Sequence, residues 1–134
     1  MLVFRQLFDP TSSTYTYLLG DGERGEAVLI DPVFEQARRD LALLRELGLR
    51  LVATLDTHVH ADHVSGARQL VARHGAELCM HESARVAYPR RGLADGEQLE
   101  LGQLRLRVMH TPGHRPELIS LVVVNPPRSH EPSM

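Results

Sequence analysis

The sequence predicts an α/β (α+β) fold in which a mixed sheet is combined with two helices and a β meander. Short apolar or alternating runs, bounded by turn-forming residues, predict strands along most of the chain. Two stretches with apolar residues three and four positions apart predict helices between the early strands. Turn signals such as Asp95-Gly96 and Leu101-Gly102 crowd the later part and predict hairpins. Because helical crossovers and hairpins occur together, we expect parallel and antiparallel pairs in one fold.

The first half of the chain contains four predicted strands. The earliest two are rich in β-branched and aromatic residues and are separated by the turn-forming residues 9–13. The third is a continuous apolar run that ends at Asp31-Pro32, which is typical of a buried strand. The four predicted strands are residues 2–8, 15–19, 27–30 and 50–57.

Two helices are predicted, one before and one after the fourth of these strands. The clearest helix begins near Phe34 and ends before Gly48, which is placed as a C-cap. Its apolar positions are Phe34, Ala37, Leu41, Leu44 and Leu47. Residues 65–74 predict the second helix, with Gly75 as its stop.

The rest of the chain is predicted to form strands and a tail. The predicted strands are residues 77–80, 98–100, 103–110 and 118–124. Leu104, Leu106 and Val108 alternate with arginines, which predicts one buried and one solvated face. Residues 1–124 therefore form one predicted domain, and the proline-containing residues 125–134 an irregular tail.

Composition excludes several classes of partner. A net charge of −2 gives no basic surface for nucleic acid. The sequence contains no run of eighteen apolar residues, so no membrane span is predicted. The N-terminus lacks the pattern of an export signal, and we therefore expect a cytoplasmic protein. Cys79 is the single cysteine and lies in an apolar run, where a buried hydrophobic role is favoured over a nucleophilic one.

The densest chemical signal is the segment Thr57-His58-Val59-His60-Ala61-Asp62-His63, which follows a predicted strand. In an extended segment, His58 and His60 point to one side and can reach one metal ion. Asp62 and His63 can serve a neighbouring position. A polar loop with chance histidines is the alternative, and the density of ligands argues against it. No Gly-x-Ser-x-Gly segment supports a nucleophilic triad.

Asp31 is a further candidate, since it ends an apolar strand immediately before Pro32. It could orient the metal loop as a hydrogen-bond acceptor, or it could be a simple turn aspartate. The sequence leaves both roles open.

These motifs together resemble those of a known family. Thr-His-x-His-x-Asp-His at residues 57–63, followed by Thr-Pro-Gly-His at residues 111–114, resembles the metallo-β-lactamase superfamily. Residues 4–9, 12–19 and 29–33 look more specifically like persulfide dioxygenases, some of which are fused to a rhodanese domain. The resemblance implies the N-terminal half of the αββα sandwich of that superfamily.

The resemblance also implies two alternative metal sites. In persulfide dioxygenases Fe(II) would be held by His58, His114 and a later Asp, with positions left for substrate and dioxygen. In zinc hydrolases of glyoxalase II type, His58, His60 and His114 would form one site, and Asp62 and His63 a second. Zinc there lowers the pKa of a bound water. Asp62 is thus assigned a catalytic role as well as a ligand role.

We therefore expect an Fe(II) enzyme that oxidises a low-molecular-weight thiol persulfide, such as glutathione persulfide, to sulfite. A zinc-dependent thioester hydrolase is the alternative. The later Asp of the family has no counterpart before residue 134, so we expect weak or partial metal occupancy in this chain alone. Half a sandwich would expose an apolar face, which predicts self-association or pairing with the missing C-terminal half. A catalytically silent half-module is the remaining alternative.

Overall fold

The computed structural model describes residues 2–57, 76–81, 91–110 and 119–124. Nine strands in these ranges form two sheets. The strands of the larger sheet, in spatial as well as chain order, are Leu2–Asp9 (β1), Thr14–Asp21 (β2), Glu26–Ile30 (β3), Arg50–Leu55 (β4), Glu77–His81 (β5) and Arg91–Leu93 (β6). The strands of the smaller sheet are Gln98–Leu101 (β7), Leu104–His110 (β8) and Ile119–Val124 (β9).

The larger sheet is mixed, as predicted. Strands β1, β2 and β3 pair antiparallel, whereas β3, β4, β5 and β6 pair parallel. The smaller sheet is the predicted antiparallel meander, with β8 between β7 and β9. Strand β6 is the one described strand without a predicted counterpart, because three residues are too few for an alternation pattern.

The helix Ala37–Leu47 (α1) connects β3 to β4 and covers the outer face of the larger sheet. Ala37 and Leu44 pack there against Leu18, Ala27 and Leu29. Gly48 ends the helix in the left-handed conformation, at φ 69°, and its N–H donates to the carbonyls of Arg45 and Leu44. The predicted glycine C-cap is confirmed.

The predicted start of this helix was wrong in one respect. Residues Phe34–Gln36 form a 3₁₀ turn, and Phe34 is exposed instead of packing on the sheet. Val33, which enters the turn in an extended conformation, is the buried residue there. The α-helical period of 3.6 residues therefore applies only from Ala37 onward.

The two sheets enclose the main core. Strand β8 contributes Leu104, Leu106 and Val108, all at most 1% exposed, while Arg105 and Arg107 are exposed on the other face. The predicted alternation is confirmed. The residues of the larger sheet on this inner face include Leu19, Val28, Ile30, Leu55, Cys79 and Leu93.

Part of the same inner face carries exposed aromatic rings. Phe8 is paired in register with Tyr15, and Phe4 with Leu19, so these rings share the face of the inner core. The ring centroids of Phe8 and Tyr15 are 4.9 Å apart, and those of Phe4 and Tyr17 are 5.8 Å apart. Phe4, Phe8 and Tyr15 are 44–49% exposed. We call Phe4, Phe8, Tyr15 and Tyr17 the aromatic face.

Two of the predicted structural segments lie outside the described residues: the helix at residues 65–74 and the irregular tail at residues 125–134. Both stay predictions. In the part of the chain that the structure describes, no helix is long and apolar enough to cross a membrane.

Candidate metal centre

Strands β4 and β8, which precede the two histidine motifs, run toward the same edge of the sandwich. Glu26, at the start of β3, contacts the start of β4 through Arg50 Nη2 at 3.0 Å. The same carboxylate accepts a hydrogen bond from the N–H of Gly102 at 3.0 Å, just before β8 begins. The N–H of Gln103 donates to Asp21 at the end of β2.

Because β3, β4 and β8 all begin at that edge, all three end at the opposite one, which we call the site edge. Residues 57–63 follow β4, and residues 111–114 follow β8, so both motifs leave their strands at the site edge. The ligand candidates His58, His60, Asp62, His63 and His114 themselves lie outside the described residues. Their assignments as ligands, and that of Asp62 as a catalytic residue, stay predictions.

Asp31 makes the best-defined polar contacts at the site edge. Its Oδ1 accepts the backbone N–H of Thr57, and its Oδ2 accepts the Thr57 hydroxyl, both at 2.7 Å. Hydrogen bonds to an ionised acceptor are stronger than neutral ones, and this carboxylate is nearly buried. Of the two roles that the sequence left open, the contacts favour orientation of the loop, because Thr57 directly precedes His58.

The backbone of Asp31 is itself held in an uncommon conformation. Its φ is 55°, in the left-handed region that residues with a side chain seldom adopt. The N–H of Asp31 donates to the carbonyl of Leu55 at 2.8 Å, and its carbonyl accepts from the hydroxyl of Thr16 at 2.9 Å. These contacts join β2, β3 and β4 at the point where the histidine motif begins.

Sequence reasoning missed Thr16. It lies in a run of alternating threonine and tyrosine residues, where composition predicts a strand but not a buried hydroxyl. Its position two residues before the buried Leu18, on the same face of the strand, was the available signal, and it is a weak one.

The turn between β1 and β2 also lies at the site edge and is fixed by Asp9. Its carboxylate accepts hydrogen bonds from the hydroxyl and N–H of Ser12 and from Gln36 Nε2. The Ser12 and Gln36 contacts lower the pKa of Asp9 to about 2. Arg39 Nη1 donates to the carbonyl of Phe8 at 2.8 Å and ties the same turn to α1.

Cys79 is confirmed as a buried hydrophobic residue. It is 1% exposed, and burial, followed by the charge of Glu77, raises the thiol pKa to about 12. Since the thiolate is the reactive form, the thiol is unreactive near neutral pH. Among the residues with described positions, no three histidine, cysteine or acidic side chains come together as a metal site.

Comparison with known proteins decides the family. Residues 9–127 match the Metallo-beta-lactamase superfamily. The chain belongs to this superfamily. The chain is 43% identical over 125 residues to the mitochondrial persulfide dioxygenase ETHE1 of Bos taurus, an alignment that covers 91% of this chain and 48% of that protein.

Further similar proteins support this family assignment. The chain superposes on the crystal structure of ETHE1 from Myxococcus xanthus with a TM-score of 0.86 and 44% identity, covering 90% of this chain and 53% of that one. It is 36% identical to a hydroxyacylglutathione hydrolase of Polaromonas sp., over 75% of this chain and 38% of the relative. The chain thus spans about half the length of the curated relatives that it matches. The predicted fold, the N-terminal part of the superfamily sandwich, is confirmed.

Proposed function

We propose that this chain is part of a mononuclear Fe(II) enzyme that oxidises a thiol persulfide, such as glutathione persulfide, to sulfite and the thiol. The observation that carries the proposal is the 43% identity to a persulfide dioxygenase across 91% of the chain. The reaction consumes one persulfide, one dioxygen and one water. The outer sulfur gives four electrons to dioxygen, the S–S bond breaks, and hydrogensulfite, thiol and a proton result.

The donor set of this chain suits such a metal. Two imidazoles, His58 and His114, would be two of the three iron ligands, and a carboxylate from the half of the relatives that this chain does not cover would be the third. Histidine nitrogens with one carboxylate are the ligands of Fe(II) sites that activate dioxygen, and the bound iron would supply open positions for substrate and dioxygen. The described residues contribute by position: Asp31 fixes Thr57 and therefore the start of the ligand loop. A cytoplasmic location is part of the proposal.

The test is dioxygen uptake by the iron-loaded intact protein with glutathione persulfide, together with sulfite formation. His58→Ala and His114→Ala should each abolish uptake, while His74→Ala, outside both motifs, should leave it unchanged. Uptake without sulfite, or no uptake by protein that retains iron, would contradict the proposal.

Thioester hydrolysis with zinc is the second candidate, and the 36% identity to a hydroxyacylglutathione hydrolase favours it. Here His60, Asp62 and His63 become ligands in addition to His58 and His114. The two candidates differ in their response to His60→Ala. A hydrolase should lose activity with a glutathione thioester, whereas the iron enzyme should retain most of its dioxygen uptake.

The aromatic face leads to a proposal about partners. A cavity between the two sheets is lined by β7 and by Ala53, Glu77 and Arg91 of β4, β5 and β6, so β7 lies over that part of the larger sheet. Because β8 separates β9 from β7, β9 lies on the other side, toward β2. Additional sheet beyond β9 would therefore cover Phe8 and Tyr15. We propose that a polypeptide equivalent to the half of the relatives that this chain does not cover supplies that sheet, with a rhodanese domain as an additional partner.

Sedimentation of the 134-residue chain with the C-terminal half of the Bos taurus relative tests this proposal. A one-to-one complex is expected. Phe8→Ser should weaken it, and Phe34→Ser, which changes an exposed ring on another part of the surface, should not. A homodimer that excludes the added half would contradict the proposal and support self-association. Catalysis by the isolated chain would contradict the silent half-module.

A further inference from the structure

Thr16 is a fully buried polar residue whose hydroxyl bonds a single, unusual backbone position. Its Oγ1 donates to the carbonyl of Asp31 at 2.9 Å, and its side chain is 0% exposed. A buried hydroxyl costs stability unless it is hydrogen-bonded, so a valine would suit an apolar position of this strand better. A role in holding Asp31 would account for a polar residue at this buried position.

Asp31 needs restraint because its backbone is strained. At φ 55° an aspartate lies in a conformation that costs about 1–3 kcal/mol and persists only when surrounding contacts hold it. The N–H of Asp31 is bonded to Leu55, and the bond from Thr16 restrains the carbonyl on the other side. Relaxation of this peptide would rotate the Asp31 carboxylate away from Thr57.

We propose that Thr16 is a positioning residue of the metal loop: it holds the left-handed backbone of Asp31, and thereby aims the Asp31 carboxylate at Thr57. Thr16 acts through Asp31 and is not itself a proposed ligand of metal or substrate. The proposal rests on the metal site of the proposed function. It adds a residue on β2, some forty positions before the histidine motif, to the set that determines loop geometry.

The chain offers a matched control. Thr54 on β4 is also 0% exposed, and its hydroxyl has no hydrogen-bond partner among the described residues. Thr16→Val and Thr54→Val thus remove the same hydroxyl group from two buried strand positions. Only the first removes a bond to Asp31. Thr16→Ser restores the hydroxyl and serves as the rescue variant.

The first readout is hydrogen exchange at the Thr57 amide in the intact, metal-free protein. Loss of one buried hydrogen bond should accelerate exchange about fivefold in Thr16→Val. Thr54→Val should leave this rate unchanged, and Thr16→Ser should restore it. Unchanged exchange in Thr16→Val, or equal acceleration in both valine variants, would overturn the proposal.

The second readout is Co²⁺ binding, measured by chelator competition and by the visible absorption spectrum of the bound ion. Partners of metal ligands change affinity by about 10- to 100-fold, and Thr16→Val should approach the lower figure. In the Asp31→Ala background, Thr16→Val should add almost nothing, because the path through Asp31 is already broken. A full additional effect in that background would overturn the proposal. Failure of the unmodified protein to bind Co²⁺ would contradict the proposed metal site, while the exchange readout would still decide the role of Thr16.

Discussion

Asp40 is an acidic residue on the buried side of α1, and its replacement by asparagine gives a sharp prediction. The carboxyl group is 0% exposed and lies three residues after Ala37 and four before Leu44, the two residues that pack on the sheet. Arg39 Nε donates to Oδ1 at 3.1 Å, but Oδ2 has no hydrogen-bond partner in the described part of the chain. Burial raises the pKa of Asp40 from 3.8 to about 6, despite the attraction of Arg39.

The size of the effect follows from this pKa shift. The folded state holds the Asp40 proton more tightly than the unfolded state, so the contribution to stability is full below pH 3.8 and is lost as pH rises through about 6. Between these values the unfolded chain ionises first. A shift of about two pKa units corresponds to about 3 kcal/mol, so the ionised Asp40 costs about that much at pH 8. Asp40→Asn keeps the size and removes the charge.

Urea unfolding followed by circular dichroism at several pH values measures the effect. At pH 8, Asp40→Asn should be more stable by up to about 3 kcal/mol, and by about 1 kcal/mol at pH 4.5. Glu46→Gln, which neutralises an exposed carboxylate on the same helix, should change stability by less than about 0.5 kcal/mol. The reasoning is refuted if the Asp40→Asn difference is independent of pH, or if the variant is the less stable protein at pH 8.

Three further predictions concern the site edge, the core and the end of α1. Asp31→Ala removes both carboxylate oxygens that accept hydrogen bonds from Thr57 and should lower metal affinity about 10- to 100-fold, measured by chelator competition. Cys79 should resist a disulfide reagent at pH 8 in the folded protein and react at once in urea, as thiol titration can measure. Gly48→Ala should cost about 1 kcal/mol in urea unfolding, because the C-cap requires a positive φ.

Each of these has a clear control. Glu46→Gln removes an exposed acidic charge near the C-terminal end of α1, away from the site edge, and should leave metal affinity intact; an equal loss would show a general charge effect. Rapid modification of native Cys79 would mean that the core between the sheets opens far more often than its burial indicates. If Gly48→Ala were neutral while Leu44→Ala was strongly destabilising, α1 would end differently in solution.

Alternation and turn signals were sufficient to predict most strands. In β8 the leucines and arginines alternate because one face packs on the larger sheet and the other meets water, and a period of two residues records that directly. Helical periodicity was misleading at Phe34, because a 3₁₀ turn precedes the helix there. It also overlooked Asp40, although its spacing from Ala37 and Leu44 places it on the buried stripe, because a charged residue was not counted as part of an apolar pattern.

The candidate site was predictable in composition but not in its supporting contacts. A dense run of histidine and aspartate after a strand predicts metal ligands from chemistry alone, and this assignment stays a prediction. The link from Thr16 through Asp31 to Thr57 joins residues far apart in the chain, and it depends on a left-handed backbone that no local pattern specified. Such contacts follow from strand pairing, which the sequence did not reveal residue by residue.

The common direction of β4 and β8, the strands that precede the two histidine motifs, depends on a few contacts at the edge opposite the site edge. Sequence shows that each motif follows a strand, but a strand in a second sheet can run in either direction over the first. The direction is set by Glu26 and Asp21, whose carboxylates bind the N–H groups of Gly102 and Gln103 in the β7–β8 turn. These bonds hold the start of β8 beside the start of β4, so that both strands end at the site edge. These carboxylates at the opposite edge therefore help to make both histidine motifs follow strands that end at the same edge.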